Sequence, residues 1–427
     1  MSTSPEQPRA KTKGWFERWN DIPLYLRILV GLVLGVVTGL LLGTTAQPLD
    51  WPAKLILRLL GALAPVLILM AVVRAIMTAD IHGRLALRML GLLLLNTLTA
   101  IIVGLVVANV LQPGAGANLT HPTSGLQVKG DIVNQLLDNI PDSLLRPFVE
   151  NKVIGVVLIA VAFGIAARRL PDKQHDLAET LCEMGFSLVL ELLHWVIALV
   201  PLAVFGKVAS IVGVSGFRPF AALGWFVASV LVALLVQCIY YLTRIRFGSW
   251  VRPGALLAGT RDALVMAFST ASSTATMPVT YARLRERVGL REQSASLGAL
   301  VGSNFNNDGT ALYEAMAALF VAQLLGVHLT LTQQIMVVLT SVIASIGAAG
   351  IPEAGLVTMT LVFTAVKLPT EYIALLLTVD WFLDRCRTTI NVLGDMNVAC
   401  LLEGKTRQAP GAVAGATQEP GVQPEPG

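Results

Sequence analysis

Charge is what this chain has least of. Only 14% of its 427 residues are Asp, Glu, Lys or Arg, where a soluble globular chain carries roughly 25%. With 55% hydrophobic residues beside that shortage, a water-soluble fold is excluded and an integral membrane protein remains. Cysteine is scarce as well. Cys182, Cys238, Cys386 and Cys400 lack the spacing of a metal site or a disulfide framework, and they read as packing residues. A cleavable signal is not expected, since Met1 to Asn20 is polar and the first apolar run is long enough to span. The net charge of +4 does not mark a nucleic-acid binder, because the basic residues fall in short loops between apolar runs.

Apolar runs close to the roughly 20 residues that cross a bilayer lie at about 23–44, 55–78, 86–111, 152–168, 187–213 and 219–243. A second group at about 255–287, 294–326, 330–366 and 370–402 is interrupted by Ser, Gly and Pro. With both termini on the cytoplasmic side, Arg84, Arg88, Arg168, Arg169, Lys173, Arg244, Arg246 and Arg283 to Arg291 fall inside, as the positive-inside bias requires. That count closes only if two of the later segments enter and leave on the same side. The expected fold class is therefore an all-α membrane protein of eight transmembrane helices plus two re-entrant helical hairpins.

The two groups of runs differ in character. In the first, Gly31, Gly35, Gly39 and Gly43 recur every fourth residue and are expected to let a neighbouring helix approach closely. The division expected is a cytoplasmic segment 1–20, a region 21–250 whose spans look like scaffold, a region 251–404 of interrupted, polar-bearing segments, and a disordered tail 405–427 rich in Pro, Gly, Ala and Gln. In the second group, "MAFSTASSTATMPVT" (Met266 to Thr280) and "IASIGAAGIPEAGLVTM" (Ile343 to Met359) each place small polar or Gly/Ala residues between apolar arms, with a proline just after the tip. A helix does not run easily through such a tip. Paired interrupted segments, each followed by a long polar-bearing helix, are the sign of an inverted repeat with its binding site between the halves.

Polar residues in those long helices carry the chemistry. Asp380, Asp384, Arg387, Thr388, Asn391 and Asp395 are separated by steps of four, three, one, three and four, which puts them on one stripe of a helix. Each charge at bilayer depth costs about 2.5–3.5 kcal/mol on insertion scales, so charges sharing one face answer to one site. Arg385 falls off the stripe and needs a separate partner. In "GSNFNNDGTALYEA" (Gly302 to Ala315), Asn306, Thr310 and Glu314 share a face while Asp308 points nearly opposite in a continuous helix. Unwinding around Asn306 to Gly309 would let backbone carbonyls and the Asp308 carboxylate hold a hard cation such as sodium.

Both stretches resemble the dicarboxylate/amino acid:cation symporter family, which includes archaeal aspartate transporters and animal excitatory amino acid transporters. The resemblance runs from the Gly-rich first span to Leu402. It rests on the serine-rich first tip, the Asn-x-Asp-Gly-Thr of the seventh span, the Gly-rich second tip and the Asp-x3-Asp-x2-Arg-Thr-x2-Asn-x3-Asp helix. It implies a homotrimer in a plasma membrane, bacterial inner membrane by preference, in which 21–250 is mainly scaffold and trimerisation helices, its third span joining an elevator-type transport core at 251–404, with no cofactor and Na+, H+ or both as coupling ions. Carried over residue by residue, it assigns Asp384 to the substrate ammonium and Arg387 to the side-chain carboxylate. Thr388, Asn391, Thr310, Ser272, Ser273 and Gly355 would surround the rest of the substrate. Gly302, Asn306, Asn391 and Asp395 resemble one sodium site, and Asn306 with Asp308 part of another. Glu314 matches the animal proteins' proton carrier, with Asp380 and Arg385 as supporting charges. Asn304, Asn307, Leu93 and Asn96 depart from the archaeal pattern, and Ala271 stands where archaeal members carry a hairpin arginine.

The resemblance implies symport of glutamate or aspartate. C4-dicarboxylate symport and a passive anion channel are the alternatives, and Asp384 argues against the first, since a substrate without an ammonium would leave that charge repelled. An intramembrane aspartyl protease needs two carboxylates sharing one proton. Arg387 would keep its neighbours ionised, so no enzyme is expected.

Overall fold

The computed structural model describes residues 22–78, 83–115, 141–150, 153–347 and 354–407. Among them, regular structure is helical throughout. Helix α1 (Leu24–Leu42) passes through a 3-10 segment (Gly43–Asp50) into α2 (Trp51–Thr78), and α3 (Gly83–Leu111), α4 (Val153–Ala167), α5 (Asp172–Ala198), α6 (Val200–Ser215) and α7 (Arg218–Gly248) follow. Then come α8 (Pro253–Thr270), α9 (Ser273–Arg283), the short α10 (Glu292–Ala295) with its π-helical continuation Ser296–Val301, α11 (Asp308–Leu324), α12 (Leu331–Gly347), α13 (Ala354–Ala365) and α14 (Ile373–Glu403). By length and composition, Leu26–Arg74, Leu87–Leu111, Asp172–Ala198 and Pro219–Gly248 would each cross a membrane. This is the build of an all-helical membrane protein.

The glycine stripe of α1 does what its spacing predicts, with one exception. A Cβ on Gly35 would stand 2.7 Å from the Phe205 carbonyl oxygen and one on Gly39 2.7 Å from that of Ala209, so α1 and α6 meet backbone to backbone. Gly43 is not part of that stripe. Its φ of 54° ends α1 in the left-handed region, and no atom lies within 4 Å of a Cβ placed there.

A second difference lies in the expected span 187–213. The apolar run is divided at Leu199, because Pro201 in the first turn of α6 has no N–H to continue the α5 ladder. Helix α5 instead begins fifteen residues earlier, at Asp172, through an amphipathic stretch whose Cys182, Phe186, Val189 and Leu193 face inward.

Helices α1, α2, α4, α5 and α6 form an outer group, and α13 leans on it through α2. Inside, α11 packs against α3, α7, α12 and α14, while α14 also meets α7, α8 and α9. Helix α11 is buried nearly all round, as befits the centre of the molecule. The arms α8 and α9 fold back on each other, as do α12 and α13. The first tip turns at Ala271, in the left-handed conformation with φ 51°. The second tip, residues 348–353, lies outside the described residues, as do the expected cytoplasmic segment 1–20 and the tail beyond 407.

Candidate functional site

The predicted stripe on α14 is buried as a unit: Asp380, Asp384, Arg387, Thr388, Asn391 and Asp395 all face the interior, while Trp381 and Phe382 are only half-buried. Arg387 is fully buried. Its guanidinium reaches Asp384 Oδ1 at 2.8 Å and Asp380 Oδ1 at 3.0 Å, and it lies 4.0 Å over the Tyr313 ring. Two carboxylates beside one guanidinium leave this cluster an acidic excess, suited to an ammonium group. Arg385, off the stripe as expected, donates to the Trp381 carbonyl at 3.0 Å.

Other predicted substrate contacts gather here. A Cβ on Gly355 would stand 3.1 Å from Thr310 Cγ2 and 3.6 Å from Arg387 Nη2. The glycine thus brings the end of the second hairpin close against both residues, with little room for a Cβ beside Thr310. In the first tip, Ser272 caps α9 by accepting from the Ala275 N–H at 3.1 Å, and Ser273 donates to the Ser303 carbonyl at 3.2 Å. Glu314 is fully buried on α11; Thr358 of α13 donates to its Oε1, while its Oε2 accepts no hydrogen bond.

The seventh span breaks as anticipated, though over fewer residues. Asn306 (φ −95°, ψ 94°) and Asn307 (φ −119°, ψ 43°) leave helical geometry, whereas Asp308 and Gly309 already belong to α11. Asn391 seals the break from α14: its Oδ1 accepts from the Gly309 N–H at 2.7 Å, and its carbonyl accepts from Asn306 Nδ2 at 2.8 Å. Asn306 Nδ2 also donates to Asp395 Oδ1 at 2.9 Å, and a Cβ on Gly302 would lie 2.9 Å from that same oxygen. Gly302, Asn306, Asn391 and Asp395 therefore converge. Asn306 Oδ1 is buried and accepts no hydrogen bond, an oxygen left over beside a carboxylate. Such an oxygen-only set suits a sodium ion, which here would be cargo.

Asp308 takes part in a different arrangement. Its Oδ1 lies 2.6 Å from Thr97 Oγ1 on α3, and its Oδ2 accepts from the Tyr241 hydroxyl on α7. Arg244 donates to Asn96 Oδ1, Asn96 Nδ2 to Asn397 Oδ1 at 3.3 Å, and Asn397 Nδ2 to the Tyr241 carbonyl at 2.9 Å. Tyr241 and Arg244 escaped the sequence reading, which placed their span with the scaffold. The signal was present: Gln237, Tyr241 and Arg244 recur at helical spacing in an otherwise apolar run. Asn307 donates to the Ser345 carbonyl at 3.0 Å, tying the break to α12. The Asn304 side chain lies outside the described residues.

A broken helix, a facing polar helix and paired hairpins define a secondary transporter. The chain belongs to the sodium:dicarboxylate symporter family, whose model matches residues 24–405. It is 29% identical to excitatory amino acid transporter 1 of Ambystoma tigrinum over 92% of this chain and 84% of that protein. It is 28% identical to mouse excitatory amino acid transporter 3 over 91% of this chain and 86% of that one. A shorter alignment, 37% identical, joins 62% of this chain to 48% of human excitatory amino acid transporter 2.

Proposed function

We propose that this protein is a secondary active symporter that takes up acidic amino acids, glutamate or aspartate, on a sodium gradient, a proton gradient or both. The observation that carries the reading is the buried Arg387 between Asp380 and Asp384, with Thr310 and Gly355 beside it. A planar guanidinium can grip a side-chain carboxylate through two parallel hydrogen bonds. Asp384, released from Arg387 as the substrate enters, holds the ammonium. Ser272 and Ser273, Thr310, Thr388 and Asn391 complete the polar lining, and Gly355 lets the second hairpin close over it. The relatives' names, excitatory amino acid transporters, support the same substrate class.

Sodium is held by Gly302, Asn306, Asn391 and Asp395, and Glu314 carries a proton. The moving unit is residues 251–404 with α3 and α7, sliding past the outer helices as an elevator within a homotrimer. The protein works in a plasma membrane, with both termini cytoplasmic.

Labelled aspartate uptake into proteoliposomes under separately imposed sodium and proton gradients tests this directly. Concentrative uptake on either gradient supports symport; equilibration without accumulation would mean a passive pathway. The Asp384→Asn variant tests the substrate. It should weaken amino acid binding far more than C4-dicarboxylate binding, and an equal loss of both would remove the ammonium assignment.

A further inference from the structure

Two buried carboxylates of the core are built differently. Beside Asp395, Asn306 Oδ1 has no hydrogen-bond donor. Around Asp308, both oxygens of the carboxylate itself are engaged. The carboxylate has Thr97 at one oxygen and the Tyr241 hydroxyl at the other. Asn96 Oδ1 accepts from Arg244 and Asn397 Oδ1 from Asn96. The Asn96 carbonyl lies 3.4 Å from Gln237 Nε2. A fixed positive charge is also present, since the Arg244 guanidinium donates to Asn96 Oδ1 at the edge of the same network. Neither the donor set nor the charge balance at Asp308 fits a sodium ion.

We infer that the Asp308 pocket is closed to sodium: Tyr241 and Arg244 of α7 supply, from within the chain, the contacts and the positive charge that a cation would supply there. This deepens the symporter reading, on which its meaning for coupling rests. The position contributes no sodium to the transport cycle, and ion stoichiometry is set in part by two residues of a helix that touches no substrate. A lone hydroxyl near a carboxylate would be ordinary packing. Here both oxygens of the Asp308 carboxylate and the Asn96 and Asn397 side-chain oxygens are committed, and one residue of that ring, Tyr241, can lose its hydroxyl with little change of shape.

The test counts radiolabelled sodium bound per protomer of the purified, substrate-free, full-length protein, in the wild type, Asp308→Asn and Tyr241→Phe. Asp308→Asn should bind as many sodium ions as the wild type, and Tyr241→Phe should bind one more, because it frees an Asp308 oxygen. If Asp308→Asn binds one fewer, sodium sits on Asp308 in the native protein and the inference falls. Should Asp308→Asn not fold, Tyr241→Phe decides alone: no added sodium overturns the role given to its hydroxyl. The measurement needs no substrate, so failure of the protein to bind acidic amino acids would defeat the transport reading while leaving this count interpretable.

Discussion

The helix pair α1 and α6 and the helix pair α11 and α14 are packed by opposite means. The first pair meets through glycines and carbonyls, with Gly31, Gly35 and Gly39 set against Pro201, Phe205 and Ala209. The second meets through side chains, with Asn391 reaching Gly309, Asn306 reaching Asp395, and Arg387 stacked on Tyr313. Close backbone approach gives van der Waals contact that is indifferent to any cargo. Buried polar groups are satisfied only by named partners, so whatever enters must exchange with them. The outer pair is built to stay, and the inner pair is built to respond.

Four substitutions bear on that contrast, and the largest effect belongs to the inner pair. Arg387→Lys keeps the charge but loses the fork that bridges Asp380 and Asp384. Each hydrogen bond of that fork to a carboxylate is worth roughly 1.5–3 kcal/mol, so aspartate binding measured by calorimetry should fall by about 100-fold. Gly35→Leu should act on stability instead. Forcing a side chain into a backbone contact costs about 1–3 kcal/mol, readable as a lowered thermal transition, while the folded fraction binds aspartate with unaltered affinity. A loss of affinity there would mean that the outer pair is coupled to the site after all.

Asn306→Ala removes the oxygen left over beside Asp395. A hydrogen bond to a charged group is worth about 1.5–3 kcal/mol, so sodium dependence of uptake should move to concentrations higher by about tenfold or more, with substrate selectivity retained. The smallest effect is expected where the two regions touch. Lys207 of α6 lies buried with its ammonium 5.1 Å over the Tyr372 ring at the head of α14. Lys207→Met should lower thermal stability by about 0.5–2 kcal/mol, the range of a cation–π contact, without altering sodium or substrate affinity in titrations.

Periodicity exposed the faces but not the partners. The stripe from Asp380 to Asp395, the break at Asn306 and the close approach along α1 follow from spacing within one helix, and each is present in the fold. Tyr241 and Asp308 are 67 residues apart, and Asn96 and Asn397 are 301 apart. No local pattern states that such residues meet. Arg244 read as a loop charge that orients the chain, because a basic residue at the end of an apolar run ordinarily does so; only tertiary packing gives it Asn96 as a partner. Lys207 was hidden for a related reason, since a single lysine hardly lowers the hydropathy of a long run. The division at Leu199 was missed because Pro201 fits a helix's first turn as well as it ends a preceding one.

Gly394 stands between the two carboxylate environments. The Asn306 amide presses on the space where its Cβ would be, and the Tyr241 hydroxyl would lie 3.0 Å from such a Cβ. The two chambers thus share a partition no thicker than one peptide backbone. In a medium of low polarisability, a field crosses such a wall with little attenuation. A change of charge in either chamber therefore alters the electrical potential in the other, across a single peptide backbone.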